Sequence, residues 1–181
     1  MNGRLIAIVG PSGVGKDSVM QGTAARNPRI MLARRVITRP GDAGGEDFEG
    51  VTVAQFQARQ DAGEFALSWS AHGLSYGIPA SVDAQLDKGR DVLVNLSRSV
   101  LVPAKERFAR FLAINLTAPP EILAARLAAR GREDASQIAR RLDRAQAALP
   151  QGIAVQQIDN SGALDQTVEA VLAQLYPVTV P

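Results

Sequence analysis

The chain has 181 residues, 46% hydrophobic and 21% charged, enough to bury one core and unlike a disordered tail. It has no cysteine and one histidine, His72, which excludes a disulfide framework, thiolate metal sites, Cys nucleophiles and multi-His centres. A net charge of +2 gives no bulk field for nucleic acid, and no apolar run approaches the roughly 18 residues of a membrane span.

The run Arg4 to Val9 is continuously apolar after its first residue and predicts a strand covered on both faces. Its apolar part is too short for a signal-peptide core, so a soluble, cytoplasmic protein is expected, with no membrane or nucleic-acid partner. A glycine-rich loop follows, then a helix over 17–25 and a strand over 31–37. Residues 38–50 are rich in Gly and acid, without periodicity, and read as a loop. A short helix is expected over 53–62, strands over 65–69 and 74–78, a helix over 80–87 and a buried strand over 91–95. A helix over 102–107 precedes a strand over 111–116, and Pro119-Pro120 opens a helix that Gly131 ends. A helix over 136–149, a strand over 153–158 and a helix over 164–175 complete the chain. The alternation predicts an α/β fold with a mostly parallel sheet flanked by helices. Residues 38–79 and the Arg-rich stretch near 130–149 read as insertions on a core of 1–37, 80–129 and 150–181.

Gly10-Pro11-Ser12-Gly13-Val14-Gly15-Lys16 has the phosphate-loop spacing. Glycines let successive backbone N–H groups turn inward at a helix N-terminus, and Lys16 adds a point charge for the β- and γ-phosphates. The loop follows a buried strand and opens a helix, so ATP is the expected ligand, with residues 10–18, Ser18 included, as its binding segment. Where the pattern asks for Ser or Thr to hold Mg²⁺, this chain has Asp17. A carboxylate is also a hard-cation ligand, and it equally suits the positive end of the helix dipole. Ser18 is a poor substitute, because one step turns the side chain roughly 100° around the helix. Of 20 basic residues, 17 are arginines, whose forks suit phosphate; codon composition explains the excess as well, so position has to decide.

This loop resembles that of the guanylate kinase family. Further matches follow in order at Ile37 to Pro40, Gly45-Glu46, Gly63 to Phe65, His72 to Gly77, and Arg126-Leu127 through Arg130-Gly131 to Arg141-Leu142. The resemblance implies a nucleotide-kinase fold with an acceptor-binding insertion and an arginine-bearing lid. It also implies that Arg130 and Arg141, with Arg132 beside them, contact the transferring phosphates. Guanylate kinases read guanine with a Glu that falls here at Leu67 or Ser68 and an Asp that falls near Ser97. Phe48 stands near the place of a usual tyrosine. A site built on hydrogen bonds discriminates steeply when they are missing, so GMP is a poor acceptor candidate.

The chain is more similar to a branch of that architecture, the ribose 1,5-bisphosphate phosphokinases of bacterial phosphonate breakdown. The shared segments are Gly15 to Ser18, Arg35 to Pro40, Gly44 to Asp47, Trp69 to Gly77, Val94 to Arg98, Arg130 to Glu133 and Ile158 to Gly162. The implied reaction is ATP plus ribose 1,5-bisphosphate giving ADP plus 5-phospho-α-D-ribose 1-diphosphate, with small-molecule substrates and Mg²⁺. Asp17 belongs to the shared pattern and does not indicate a dead enzyme.

Arg39, before Pro40 on a loop, and Arg98, beyond the strand ending at Asn95, are candidate acceptor-phosphate ligands; the latter lies at the sheet edge where open α/β folds bind ligands. Arg35 reads as a solvent-facing strand residue. Glu46 is a candidate for orienting sugar hydroxyls or holding Arg39, with Asp47 beside it, and a solvated acidic loop fits them equally. Tyr76 and Ser75 are candidate contacts to phosphate or ribose oxygens, and His72 is expected to be structural. Asn160 is a candidate adenine neighbour, though its Asn-Ser-Gly turn accounts for it as well. On the helix over 136–149, Ile138, Leu142, Ala145 and Leu149 form an apolar stripe. Arg141 lies roughly 70° from its centre and can reach inward, whereas Arg140 lies nearly opposite. Two other functions compete: a nucleoside monophosphate kinase, and an inert guanylate-kinase-like binding module, against which the kept Lys16 and lid arginines argue.

Overall fold

The computed structural model describes residues 3–41, 46–131, 134–145 and 148–177. Its elements are β1 (Leu5–Val9), α1 (Lys16–Arg26), β2 (Ile30–Leu32), β3 (Arg35–Ile37), β4 (Phe48–Gly50), α2 (Val53–Asp61), β5 (Phe65–Ala71), β6 (Leu74–Pro79) and α3 (Ser81–Asp87). β7 (Asp91–Asn95), a 3₁₀ turn (Arg98–Val100), α4 (Leu101–Arg107), β8 (Phe111–Thr117), α5 (Pro120–Ala129), α6 (Ala135–Ala145), β9 (Val155–Asp159) and α7 (Leu164–Leu175) follow. Among the described residues no helix is long and apolar enough to cross a membrane.

Five strands form a parallel sheet in the order β2-β7-β1-β8-β9. The central strand β1 is fully buried because it faces two cores at once. Leu5, Ala7 and Val9 point to one, shared with Val92, Val94, Leu101 and Phe108. Ile6 and Ile8 point to the other, shared with Val19, Leu93, Leu116, Leu123 and Val171. This two-sided burial is why the strand reads as an unbroken apolar run rather than an alternation. At the strands' starting end, Asp91 accepts from Arg4 Nε (3.1 Å) and from the Tyr176 hydroxyl (2.6 Å), tying the chain after α7 to β7.

A second sheet, β4-β3-β6-β5, is mixed, with β3 and β4 parallel and the other pairs antiparallel. The strand expected over 31–37 is two strands in different sheets. Ile30–Leu32 pair with Asp91–Leu93, and the chain crosses at Ala33-Arg34 into β3. No breaker marks the crossing in sequence; tertiary partners cause it, because Arg34 and Arg35 reach Asp47 and Glu46 on the other side. The loop expected over 38–50 likewise ends in a strand, β4, where Phe48 is buried beneath the Arg39 guanidinium, 4.1 Å from the ring centre. At the tip of the β5–β6 hairpin, His72 (φ 54°) and Gly73 (φ 76°) are both left-handed between the paired Ala71 and Leu74, the requirement of a type I′ turn. His72 therefore has a turn role, as expected.

Candidate active site at the phosphate loop

The loop from Gly10 to Lys16 leaves β1 and becomes α1. Gly10 (φ 146°) passes so close to β8 that a Cβ would lie 2.5 Å from the Leu116 carbonyl oxygen. Gly15 (φ 92°) caps α1, and a Cβ there would lie 2.8 Å from Asn160 Nδ2. Both positions combine a positive φ with a close approach, so the loop's path requires glycine. Its fold is pinned from outside: Asn160 Nδ2 donates to the Val14 carbonyl at 2.6 Å while its Oδ1 accepts from Thr167. Arg126 Nη1 donates to the Asn160 carbonyl at 2.8 Å. Asn160 is buried and thus braces the loop, a role that neither its adenine reading nor its turn reading named.

Lys16 Nζ donates to the carbonyls of Gly10 (2.9 Å) and Pro11 (3.1 Å). Burial pushes its ammonium down to about 8; nearby Arg35 and Arg98 act in the same direction, and Asp17 and Glu46 oppose them. All four charges thus lie within electrostatic reach of the lysine. Arg141 reaches inward from α6, its Nη1 donating to Ser12 Oγ at 2.9 Å. Arg140 is exposed and bonds Ser136 on its own helix, so the two arginines divide as the helical geometry predicts. Arg130 is exposed at the end of α5, before the turn at Gly131, and Ser18 is exposed on α1. Arg132 lies outside the described residues.

Arg35 corrects the expectation of a solvent-facing residue. It is buried, forks onto both oxygens of Glu46, and donates to the Asn95 carbonyl at 3.2 Å. Glu46 is thus held by Arg35 and not by Arg39, and Asp47 pairs with Arg34. The Arg35 guanidinium also lies 5.1 Å from the centre of the Tyr76 ring, which stacks on Trp69 at 5.3 Å. Trp69 Nε1 donates to Ser97 Oγ at 2.9 Å. Leu67 is buried in the core, and Ser68 is exposed on the opposite face of β5. Arg98 opens the 3₁₀ turn just beyond β7, and burial lowers its pKa.

An open cleft between the two sheets is walled by Asp17, Asn95, Glu46, Asp47 and Arg34. Asn95 Nδ2 donates to Asp17 Oδ1 at 3.3 Å. Among the described residues, no group of three or more His, Asp or Glu could hold an ion unaided. A single carboxylate held by an amide N–H is a hard donor, and it fits a cation that brings phosphate and water as its remaining ligands, as Mg²⁺ does.

Arg35, Trp69, Asn95 and Arg126 fall within the segments that carry the family resemblance, but sequence reasoning gave them no role in this region. The one residue-level signal, for Arg35, was the arginine pair Arg34-Arg35 set inside a run of apolar residues. The others carry ordinary composition and acquire their partners only through the tertiary fold.

Residues 6–149 match a family model described as an AAA domain. The chain is 56% identical to a ribose 1,5-bisphosphate phosphokinase of Ruegeria sp. over 92% of this chain and 88% of that one. It is 50% identical to a ribose 1,5-bisphosphate phosphokinase of Pseudomonas paraeruginosa over 97% and 96%. A guanylate kinase structure from Anaplasma phagocytophilum superposes with a TM-score of 0.66 at 18% identity, covering 96% of this chain and 85% of that one, which establishes a shared fold. The architecture expected from the alternating elements is therefore the one observed, and the chain belongs to the ribose 1,5-bisphosphate phosphokinase family.

Proposed function

We propose that this enzyme transfers the γ-phosphoryl group of ATP to the C1 phosphate of ribose 1,5-bisphosphate, giving 5-phospho-α-D-ribose 1-diphosphate and ADP. An oxygen of the C1 phosphate forms a bond to the γ-phosphorus, and the bond to the β–γ bridging oxygen breaks, its electron pair leaving with ADP. The attacking oxygen is already ionised near neutral pH, so no general base is needed, in keeping with a lone histidine on a hairpin tip. The obstacle is repulsion between two polyanions, about 4 kcal/mol per pair of unit charges at 4 Å and an effective dielectric near 20. Catalysis is then mostly positioning and neutralisation.

Placement supports the following roles. The backbone N–H groups of Ser12 to Lys16 cradle ATP, and Lys16 exchanges its loop carbonyls for the β- and γ-phosphates. Arg141, already on Ser12, and Arg130 at the end of α5 neutralise the transferring group. Arg39 and Arg98 take the acceptor's anionic ends. Glu46, oriented by the Arg35 fork, has lone pairs left to accept from ribose hydroxyls, and Tyr76 forms part of the same wall. Mg²⁺, when bound, offsets phosphate charge, and Asp17 is the residue that holds it, directly or through water. Residues 38–79 act as the acceptor-binding insertion and 130–149 as the lid. A reaction fed by ATP supports a cytoplasmic enzyme acting on small molecules.

The observation that carries the acceptor assignment is the pair Leu67 and Ser97. By the resemblance, a guanylate kinase's two base-reading acids fall at Leu67, which is buried, or Ser68, which is exposed, and near Ser97, whose hydroxyl accepts from Trp69; none of the three is an acid. The test is a direct assay for 5-phospho-α-D-ribose 1-diphosphate with purified protein, ATP and Mg²⁺, run beside GMP as acceptor. Product from the sugar bisphosphate and none from GMP is expected. Turnover of GMP alone would make the enzyme a nucleoside monophosphate kinase, and ATP binding without either product would make it a binding module.

A further inference from the structure

Asp17 lies in the first turn of α1, and Asn95 is the last residue of β7, the strand beside β1. Asn95 is buried, pairs in register with Ile8, and aims its amide at the Asp17 carboxylate. In phosphate-loop enzymes the helix residue after the lysine supplies a neutral hydroxyl to Mg²⁺, and an aspartate from a second motif supplies the charge. Here the helix carries the acid and the adjoining strand end carries the neutral group.

We propose that Asp17 and Asn95 form one transposed cation site, in which carboxylate and neutral donor have exchanged places between helix and strand. The proposal rests on the ATP reading above. Charge explains why the exchange involves both positions. A second acid at 95 would face Asp17 across hydrogen-bond distance and repel it before any cation arrives. An amide at 95 avoids that repulsion and instead orients the single carboxylate. A hydroxyl at 17 with the amide kept at 95 would leave the cation without an anionic protein ligand. Glu46 and Asp47, on the same cleft, do not fill the gap, because their charges are already paired with Arg35 and Arg34. The two positions are therefore coupled, and changing one alone is worse than changing both.

Isothermal titration of the purified protein tests this, comparing the affinity for Mg²⁺-ATP with that for ATP in EDTA. The unsubstituted protein is expected to prefer the metal complex. Asp17→Thr and the near-isosteric Asp17→Asn should each cut that preference about 10- to 100-fold, the range for disturbing groups around a metal. Asp17→Thr combined with Asn95→Asp should recover most of it. Preference retained in Asp17→Asn, which preserves shape on a half-exposed helix turn, would overturn the site. A folded double variant no better than Asp17→Thr would also overturn it. Failure of the unsubstituted protein to bind ATP in either form would remove the ATP reading itself, and the site with it.

Discussion

Asn160 Nδ2 and the Val14 carbonyl meet at 2.6 Å although 146 residues separate them. Asn160 is buried, and its own Oδ1 accepts from the Thr167 hydroxyl at 2.6 Å, so one amide bridges the phosphate loop to α7. Asn160→Ala removes both bonds and leaves the Thr167 hydroxyl and the Val14 carbonyl with only their longer contacts, to the Asp159 carbonyl and from Arg126 Nη1, each at 3.4 Å. The expected loss of stability is about 1–3 kcal/mol, with weaker ATP binding because the cradle loses its brace. Urea denaturation and ATP titration measure the two effects; unchanged ATP affinity would reduce Asn160 to a purely structural residue.

Lys16 carries a pH dependence whose sign differs for folding and for binding. Its ammonium is pushed down to about 8 by burial, from an ordinary value of 10.5. Between those values the unfolded chain holds the extra proton, so the destabilising contribution of this group, full below about pH 8, fades as pH rises. Phosphate oxygens favour the charged amine, so ATP binding should take up a proton above about pH 8, and affinity should fall there by up to about tenfold per pH unit. Titrations in two buffers of different ionisation enthalpy detect the uptake. Lys16→Met should abolish turnover and flatten the profile, and a sloping profile in that variant would assign the proton elsewhere.

The legible parts of this molecule were those with local causes. The phosphate loop is readable because glycine spacing, a buried strand and a following helix all lie within a few residues. Arg140 and Arg141 could be separated because a helix fixes direction at 100° per residue. The crossing at Ala33-Arg34 was not legible, since apolar residues flank the arginine pair on both sides without a Gly or Pro, and only the partners Glu46 and Asp47 divide the run. The same cause hid Arg35: an arginine in a strand is ordinarily solvent-facing, and its burial depends on a carboxylate eleven residues later. Asn160 was ambiguous because a polar turn looks alike whether it faces a ligand or a loop carbonyl.

The Arg35–Glu46 pair separates stability from function. Both side chains are largely buried, at 9% and 16% exposure, so removing one partner strands the other's charge. Arg35→Met should cost about 3–5 kcal/mol by this route. Arg35→Met with Glu46→Met should restore much of that stability, because two apolar chains replace the pair. Acceptor turnover should stay low in the double variant, since the carboxylate facing the sugar is gone. Denaturation and product assay on the three proteins decide it, and a double variant that is both stable and active would confine the pair to a structural role.

Arg141 tests the transfer step. Its guanidinium rests on Ser12 Oγ at 2.9 Å, a neutral contact that a nucleotide's phosphates would better. Charge delivered to the transferring group acts mainly where negative charge reorganises, in the transition state, so Arg141→Ala should lower kcat about 10²- to 10³-fold. ATP affinity should change much less, because Lys16 and the loop N–H groups carry ground-state binding. Arg140→Ala, on the exposed face of the same helix, is the matched control and should leave both quantities near those of the unsubstituted enzyme. Steady-state kinetics with separate ATP titrations read the split. Equal losses in kcat and ATP affinity for Arg141→Ala would assign it to nucleotide binding and leave the transition-state charge to Arg130 and Lys16.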